Sequence, residues 1–222
     1  MPNWCNNYVE LQHADATMIS RAAKALGKGE LLNEFIPVPT DLQITAGNVG
    51  AKGSPEQTAH ELQVIENTKK HGYADWYAFC VAEWGTKWDL GGDGSQATVD
   101  ESGKKLTFSV DSAWAPPIAA YEKLEELGFI VKAMYYEGGM LFAGVYSNGC
   151  DDYYEFDSLN SEDVASMLPE ELDEMFGISE NMAMWEEENQ EEDDCGGFGD
   201  FVNFIDNLSA NGALSSSNDT TK

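Results

Sequence analysis

Apolar and polar positions in the first two thirds of the chain repeat with two periods, one typical of strands and one typical of helices. Residues 3–12 alternate with a period of two, which predicts a strand. From about Ala14 to Leu26 the apolar residues recur at every third or fourth position, which predicts a helix. Gly27 and Gly29 follow directly and are typical of a helix end.

The next part of the chain has weaker periodicity but contains clear signals for turns and for a helix start. Residues 31–53 contain several prolines and glycines and predict an irregular connection. Ser54 and Pro55 then form a typical helix start, with a serine cap and a proline at the first helical position. That helix is expected to reach Lys70, and an aromatic-rich helix is expected over residues 73–84.

Alternation with a period of two returns after the glycines near residue 92. Residues 96–100 and 104–111 predict two short strands that form a hairpin around Gly103. A further helix and two strands are expected at residues 115–127, 129–136 and 140–146.

If the helical insertion at about 30–94 is left out, the order of elements is β-α-β-β-α-β with one extra strand. This order predicts an α+β fold of the ferredoxin-like, split βαβ type, with two helices on one face of an antiparallel sheet. We expect the insertion at one edge of the sheet or on its open face. A fold of this kind hosts many functions, so it predicts none by itself.

Charge separates the chain into two parts. The 222 residues carry a net charge of −28, of which residues 1–149 hold −8 and residues 150–222 hold −20. We therefore predict a ferredoxin-like domain over 1–149 and an acidic, mostly helical region over 150–210. Short helices are expected at 162–167, at 169–176 and from Ser179 onward. The polar residues 211–222 predict a disordered tail.

Composition argues against several classes of protein. Direct binding to nucleic acid or to an anionic membrane requires clustered lysine and arginine, which the chain lacks. The four cysteines are far apart and have no ligand spacing, so we expect neither disulfides nor a metal site, and no cofactor. The chain also lacks a signal peptide pattern and a run of about 20 apolar residues. These features predict a cytoplasmic protein.

Candidate catalytic residues are sparse. His13, His60 and His71 have no sequence partner that would make a zinc site or a nucleophile–base pair. Cys5 and Cys80 likewise have no histidine at a recognisable spacing. The sequence therefore predicts a protein that is not an enzyme.

Five segments occur in an order that resembles a known family. They are MPNWCNN at the start, FIPVP at 35–39, AEWGTKWDL at 82–90, DSAWAPP at 111–117 and YYEGGMLFAGVY at 135–146. Together they resemble the YubB-type ferredoxin-like proteins of plasmids and bacteriophages. The resemblance implies a bacterial host cytoplasm and favours a role in host takeover or anti-defence. It implies no activity and no catalytic residue.

The acidic region carries the main functional hypothesis. Its carboxylates are interleaved with apolar residues, which can fold the segment and hold the charges in place. Duplex DNA has one charge per about 1.7 Å, and a helix rises about 1.5 Å per residue, so acidic helices approach the charge density of DNA. The region is thus expected to act as a DNA mimic that inhibits a basic host protein, such as a restriction or other defence nuclease. The predicted partner-binding residues are Asp151, Asp152, Glu155, Asp157, Glu162, Asp163, Glu170, Glu171, Asp173, Glu174, Glu186, Glu187, Glu188, Glu191, Glu192, Asp193 and Asp194.

Two other interpretations remain open. In the first, the protein is an enzyme of unknown type. In the second, the acidic region is a solvated spacer, and the ferredoxin-like domain binds a partner through the WGTKWD segment, with a homodimer as one form of such binding. Its partner surface would comprise Trp84, Lys87, Trp88 and Asp89. The aromatic block around Trp76 and Phe79 instead favours packing in the core, because aromatic residues supply much of the buried area of a core.

Overall fold

The computed structural model describes residues 3–92 and 95–189. This part of the chain is an α+β fold with six strands, eight α-helices and one short 3₁₀ helix, Thr40–Leu42. The strands are β1 (Trp4–Gln12), β2 (Ala97–Val99), β3 (Lys105–Ala113), β4 (Ile130–Glu137), β5 (Phe142–Ser147) and β6 (Cys150–Glu155). The helices are α1 (Ala16–Leu26), α2 (Leu31–Phe35), α3 (Pro55–His71), α4 (Trp76–Glu83), α5 (Ile118–Glu126), α6 (Ser161–Met167), α7 (Glu170–Phe176) and α8 (Ile178–Asn189).

The strands form one sheet in the order β2-β3-β1-β4-β5-β6. Its first four members have the strand order of the split βαβ arrangement, so the predicted ferredoxin-like fold is confirmed. β1 and β3 pair antiparallel over their full lengths, from Trp4↔Ala113 to Gln12↔Lys105. β2 pairs with β3 over three residues only, from Ala97↔Phe108 to Val99↔Leu106.

The residues fall into two compact units that interleave along the chain. The first unit comprises residues 1–135 and 145–152, and the second comprises 136–144 and 153–222. The domain boundaries drawn from the charge pattern stay a prediction.

One face of β1 and β3 carries the core of the first unit. Val9 and Leu11 of β1 are fully buried and belong to one apolar cluster with Ile19 of α1 and with Ala120 and Leu124 of α5. The opposite face is polar, as the alternation predicts. The two predicted helices thus cover one face of the sheet.

The insertion between α1 and β2 packs differently from our expectation. Leu31, Leu42, Phe79 and Trp84 are all buried in the cluster that contains α1 and α5. The insertion therefore adds to the covered face, and its expected place at one edge or on the open face is wrong. The reason is that its short helix α2 and its connecting loop supply large apolar side chains, which the irregular pattern of 31–53 concealed.

Helix α3 confirms its sequence signals closely. The Ser54 hydroxyl accepts a hydrogen bond from the Gln57 backbone N–H at 3.2 Å, and Pro55 occupies the first position. The helix ends at Gly72, whose φ of 83° is left-handed and therefore suits a residue without a side chain.

Strand β6 was not predicted. It follows a two-residue turn in which Asn148 and Gly149 have φ values of 53° and 72°, the signature of a type I′ hairpin. The Asn-Gly pair was a local signal for this turn, but the acidic residues that follow directed the interpretation toward helices. The acidic region is mostly helical in its described part, but it begins with this strand.

The second unit has an apolar centre of its own. The Tyr136 ring stacks on Phe156, with ring centroids 6.3 Å apart, and lies 6.0 Å from the ring of Phe176. Three helices, α6, α7 and α8, contribute further buried side chains. These are Val164, Leu168, Leu172, Ile178 and Met182.

No helix among the described residues is long and apolar enough to cross a membrane.

Candidate functional site

The WGTKWD segment supplies both core residues and surface residues. Trp84 is buried, and its indole Nε1 donates a hydrogen bond to the Ile36 carbonyl at 3.0 Å. Its predicted place on a partner surface is therefore wrong, because the ring anchors the insertion in the core of the first unit. Two residues later, the Thr86 hydroxyl accepts from the Ala113 N–H at 3.0 Å and ties the segment to the end of β3.

Asp89 has a structural role as well. Its carboxylate accepts hydrogen bonds from the backbone N–H groups of Leu32, Asn33 and Leu90, at 2.7, 2.9 and 2.7 Å. Burial raises the pKa of Asp89, and these three donors offset that effect only in part. The carboxylate thus holds the start of α2, which gives Asp89 a structural role.

The other two residues of the predicted partner surface, Lys87 and Trp88, are at least partly accessible to solvent. Lys87 places its Nζ over three aromatic rings, 4.5 Å from the centroid of Trp88, 5.4 Å from that of Trp114 and 5.8 Å from that of Tyr77. Trp4 adds a fourth ring, whose centroid lies 5.7 Å from that of Trp88. We call these five residues the tryptophan–lysine patch.

The aromatic members of the patch are unusually exposed for their size. Between 37% and 47% of the surface of each ring residue is accessible to solvent. Lys87 forms no ion pair in the described part of the chain, so the faces of the rings are its main electrostatic partners. Clusters of exposed tryptophan and tyrosine are typical of binding surfaces.

Backbone geometry sets the position of the patch. Trp114 has a φ of 70°, a left-handed conformation that is costly for a large side chain. Its N–H donates to the Asn3 carbonyl at 2.9 Å, which fixes the end of β1 beside it. Gly85 is also left-handed, and a Cβ there would lie 3.2 Å from the Ile118 backbone nitrogen. The packed fold maintains this strained arrangement.

A groove lies on each side of the patch. One has a volume of about 450 Å³ and is lined by Ala46, Gly47, Asp75, Trp76, Tyr77 and Lys87. The other has a volume of about 370 Å³ and runs beside Trp4, Trp88 and the end of β3. We call the second one the β3 groove.

Sequence reasoning found only part of this surface. Phe79 is buried, as the core interpretation of the aromatic block predicts, whereas Tyr77 and Trp88 are exposed. Trp4 and Trp114 were not singled out, although each is a tryptophan at a strand end. Only the antiparallel register of β1 and β3 brings these two ends together.

The predicted acidic surface is distributed over four elements. Asp151, Asp152 and Glu155 lie on β6, and Asp157 follows that strand. The helical members are Glu162 and Asp163 on α6, Glu170, Glu171, Asp173 and Glu174 on α7, and Glu186, Glu187 and Glu188 on α8. The remaining four, Glu191, Glu192, Asp193 and Asp194, lie outside the described residues, as does the predicted tail at 211–222.

Three of these carboxylates make defined structural contacts. Glu186 accepts from the backbone N–H of Ser161 at 2.8 Å and from its hydroxyl at 2.6 Å, which ties α8 to the start of α6. Asp173 accepts from the backbone N–H of Ser179 at 2.8 Å and also from its hydroxyl. Asp151 accepts from the Tyr135 hydroxyl at 2.7 Å, and burial raises its pKa.

Two histidines and the buried thiol of Cys80 have structural surroundings. His60 Nε2 lies 2.8 Å from the Thr45 carbonyl oxygen, and His71 Nε2 lies 3.2 Å from a carboxylate oxygen of Asp41. Burial raises the pKa of Cys80 to about 12, so this thiol is protonated at neutral pH and is a poor nucleophile. Among the described residues, no group of three or more potential metal ligands comes together.

Comparisons with known proteins give one similar structure. No family model matches the chain, and no curated protein matches it. Among solved structures, the chain is similar to the protein api92 from Yersinia pseudotuberculosis, which is described by the family model DUF1281. The identity is 12%, the alignment covers 70% of this chain and 98% of api92, and the TM-score is 0.38.

Proposed function

We propose that this protein is a non-enzymatic inhibitor of the YubB-type family and is encoded by a phage or a plasmid. In this proposal it binds a basic host protein, and the acidic region takes the place of DNA in the partner's groove. A nuclease of restriction or another defence system is the candidate partner.

The observation that carries the proposal is the charge of the second unit. Its described residues, 136–144 and 153–189, contain 13 aspartates and glutamates and no lysine or arginine. These residues nevertheless form three packed helices around a buried centre. Carboxylates on a packed scaffold have restricted positions, so their fields add in a defined pattern instead of averaging over a mobile chain.

Hydrogen bonds between helices limit the motion of the acidic surface. The pair formed by Glu186 and Ser161 joins α8 to the first turn of α6. The contact of Asp173 with Ser179 orders the left-handed corner at Gly177 between α7 and α8. A charge array that is ordered before binding loses less conformational entropy on meeting a partner.

The position of some charges argues against a purely structural role. Glu187 and Glu188 are exposed on α8, next to Glu186. These like charges repel one another, and residues 178–189 contain no lysine or arginine to offset them. Residues that lower stability and have no evident structural role are expected where a function requires them.

The spacing of these charges suits a phosphate-binding groove. Glu186, Glu187 and Glu188 are consecutive on α8. Helical rise separates consecutive residues by about 1.5 Å along the axis, against about 1.7 Å per phosphate charge along duplex DNA. The linear charge density of this run along the helix axis is therefore similar to that of duplex DNA.

A matched pair of charge variants tests the proposal. The test variant is Glu174→Gln/Glu187→Gln/Glu188→Gln, and the control is Glu66→Gln/Glu101→Gln/Glu126→Gln on the first unit; each removes three exposed carboxylates. Immobilised full-length proteins are incubated with lysate of the bacterial host, and bound proteins are identified and eluted with salt or with duplex DNA. We expect basic nucleic-acid-binding proteins to be retained by the wild type and the control and lost from the test variant.

Competition with DNA makes the test specific. A partner held by mimicry must leave when duplex DNA is added, because both occupy the same groove. Equal retention by both triple variants, or a complex that DNA does not displace, would contradict the proposal.

Truncation is a weaker experiment than charge removal. Deleting residues 178–222 would remove Ile178 and Met182 from the centre of the second unit, together with the Glu186 contact to Ser161. Loss of binding after that deletion would follow from unfolding alone. The glutamine variants keep these contacts and therefore separate the two causes.

A specific observation favours a second candidate function, a protein-interaction surface on the first unit. The tryptophan–lysine patch exposes four aromatic rings, three of them around an ammonium group, on a fold that maintains a strained backbone at Trp114. Trp88→Ala is expected to abolish binding of a partner that uses this patch, while Leu62→Ala, at another exposed apolar residue, serves as the control. Equal binding by both variants would remove this candidate.

A further inference from the structure

A groove of about 450 Å³ lies beside the tryptophan–lysine patch, and we call it the Tyr77 groove. Its lining residues are Ala46, Gly47, Asp75, Trp76, Tyr77 and Lys87. The two aromatic rings among them lie with their centroids 5.9 Å apart and their planes at 78°. Asp75 and Lys87 are the charged lining residues, one of each sign. The groove therefore suits a ligand without net charge.

Lys87 offers three N–H donors that the fold does not use. Its ammonium lies over ring faces, and within residues 3–92 and 95–189 it donates no hydrogen bond. The indole N–H groups of Trp88 and Trp114 also have no acceptor in that part of the chain, whereas that of Trp84 binds the Ile36 carbonyl. An ammonium and an indole donate hydrogen bonds and cannot accept them. The surface therefore presents donors that an acceptor-rich ligand can satisfy.

Proline-rich segments have the complementary chemistry. Each proline keeps its carbonyl acceptor and has no backbone N–H. An ordinary extended peptide would bring N–H groups that need acceptors, and few side chains of the groove can accept. The Asp75 carboxylate, for example, already accepts from the Ala78 N–H at 3.0 Å. Because donors without acceptors lower affinity, a segment without N–H groups is favoured.

Shape and order favour the same ligand. A polyproline II helix rises about 3.1 Å per residue, so one turn of three residues is about 9 Å long. The ring centroids of Tyr77 and Trp114 lie 5.8 and 5.4 Å from the same Lys87 Nζ, so a single turn can contact both rings. Such a helix is largely ordered before it binds, so it loses little conformational entropy.

Other classes of ligand fit this surface less well. A polynucleotide carries a charge on every phosphate and would meet a chain with a net charge of −28. A cationic segment would meet the Lys87 ammonium, which already occupies the ring faces. A sugar hydroxyl must donate as well as accept, so a sugar would place some of its donors against the donors of the patch.

We propose that the Tyr77 groove binds a proline-rich segment of a partner protein as a polyproline II helix. Its proline rings pack on Tyr77 and Trp114, and its carbonyls accept hydrogen bonds from the Lys87 ammonium and from the exposed indoles. The inference names the partner chemistry of the second candidate function and rests on that candidate, but not on mimicry by the acidic region.

A defined peptide tests the inference without knowledge of the partner. Isotope-labelled full-length protein is titrated with a capped peptide of prolines and, separately, with a control peptide of equal length in which every second proline is alanine. We expect the ring signals of Tyr77 and the indole N–H signal of Trp114 to shift together and to saturate with the proline peptide. The control peptide should bind about fivefold more weakly, because alanine restores N–H donors and loosens the helix.

Variants separate the donor and ring contacts from general charge. Lys87→Met keeps an unbranched side chain beside the rings but removes the N–H donors, and it should weaken the proline peptide about tenfold. Lys69→Met removes an exposed charge on α3, outside the groove lining, and should leave binding unchanged. Tyr77→Ala retains a good helix former in α4 and should weaken binding about tenfold, because the ring contact is lost.

Three results of the titration would overturn the inference. They are equal binding of the two peptides, equal binding by the wild type and Lys87→Met, and shifts confined to Trp4 and Ser109, which would place the peptide in the β3 groove. Shifts of the Tyr77 and Trp114 signals with a single-stranded oligonucleotide or a neutral oligosaccharide, but not with the proline peptide, would assign the groove to another class of ligand and overturn it as well.

Failure of the second candidate function is measured separately. That candidate fails if Trp88→Ala and Leu62→Ala retain the same host proteins from lysate. The inference fails alone if a partner retained through Trp88 stays bound when the proline peptide is added. Displacement of that partner by the proline peptide, but not by the control peptide, is the expected result.

Discussion

The two units use their carboxylates in different ways. The first unit has 20 acidic and 11 basic residues, and several of its acids form ion pairs, such as Glu34 with Arg21 and Glu10 with Lys105, at 2.7 and 2.8 Å. The described part of the second unit has no lysine or arginine, and its carboxylates instead accept hydrogen bonds from backbone N–H and serine hydroxyl groups, as those of Glu137, Asp173 and Glu186 do.

This difference shows that acidity and order are compatible. A carboxylate that accepts two hydrogen bonds from one serine needs no cation to join two helices. In the second unit such contacts support a buried apolar centre, while most other acids remain at the surface. The first unit instead balances its surface and concentrates its exposed aromatic rings at one place. The two candidate partner surfaces therefore differ in chemistry, and they can be removed separately.

The largest expected effect concerns the independence of the two units. Phe156→Ala removes a fully buried ring from the second unit and should lower its free energy of unfolding by about 3–5 kcal/mol. Amide hydrogen exchange should then show loss of protection in α6, α7 and α8 with little change in β1 and β3. Phe108→Ala, in the first unit, is the matched control with the opposite pattern. Loss of protection everywhere in both variants would mean that the units unfold as one.

The second effect concerns the carboxylate that joins α6 and α8. Glu186→Ala leaves the Ser161 N–H and hydroxyl without their acceptor, which should cost about 1–2 kcal/mol in urea unfolding of the second unit. Glu188→Ala, two positions away and exposed, is the control and should cost far less. Equal losses in both variants would show that Glu186 contributes only its charge.

A smaller effect is expected from pH in the first unit. The hydrogen bond from Lys123, and then that from Tyr73, hold the pKa of Glu83 below its ordinary value. The unfolded chain binds the proton more readily, so this stabilisation is present above the ordinary glutamate pKa and is lost as pH falls through the lower, folded value. Glu83→Gln should therefore flatten the acid side of the stability profile by less than about 1 kcal/mol. An unchanged acid slope in the variant would contradict this assignment.

The smallest expected effect is a gain in stability instead of a loss. Glu187→Gln/Glu188→Gln should raise the free energy of unfolding by up to about 0.5 kcal/mol at low salt, because it relieves repulsion among the consecutive carboxylates Glu186, Glu187 and Glu188. The gain should vanish at high salt, where the charges are screened. Thermal unfolding at two salt concentrations measures it. A loss of stability would mean that these carboxylates have a structural role after all.

Local sequence signals predicted most of the helices and strands, because caps and turns depend on only a few neighbouring residues. The Ser54 cap and Pro55 placed the start of α3 correctly, and Gly177 ends α7 in the left-handed conformation that its sequence position predicts. Strand β6 was not predicted, because its acidic residues favoured assignment to the helical acidic region despite the Asn-Gly turn signal before it. The placement of the insertion failed for another reason, since periodicity shows which face of an element is apolar but not which neighbour covers it.

The candidate sites depended on different kinds of information. The acidic residues are contiguous enough for the sequence to identify them, although it could not show that Asp173 and Glu186 are engaged with serines. The tryptophan–lysine patch unites residues from positions 4, 77, 87, 88 and 114, which no local pattern connects.

The sequence by itself determined the periodicity of the elements, the ferredoxin-like order and the uneven charge, because each is a property of neighbouring residues or of composition. Tertiary structure alone decided that Trp84 is buried while Trp88 is exposed, and that Trp4 and Trp114, from opposite ends of the paired strands β1 and β3, lie in one patch. These outcomes depend on strand register and on the packing of distant segments, where side chains separated by many residues compete for the same space. The physical reason is that burial and pairing are settled between elements, whereas helix and strand signals act within them.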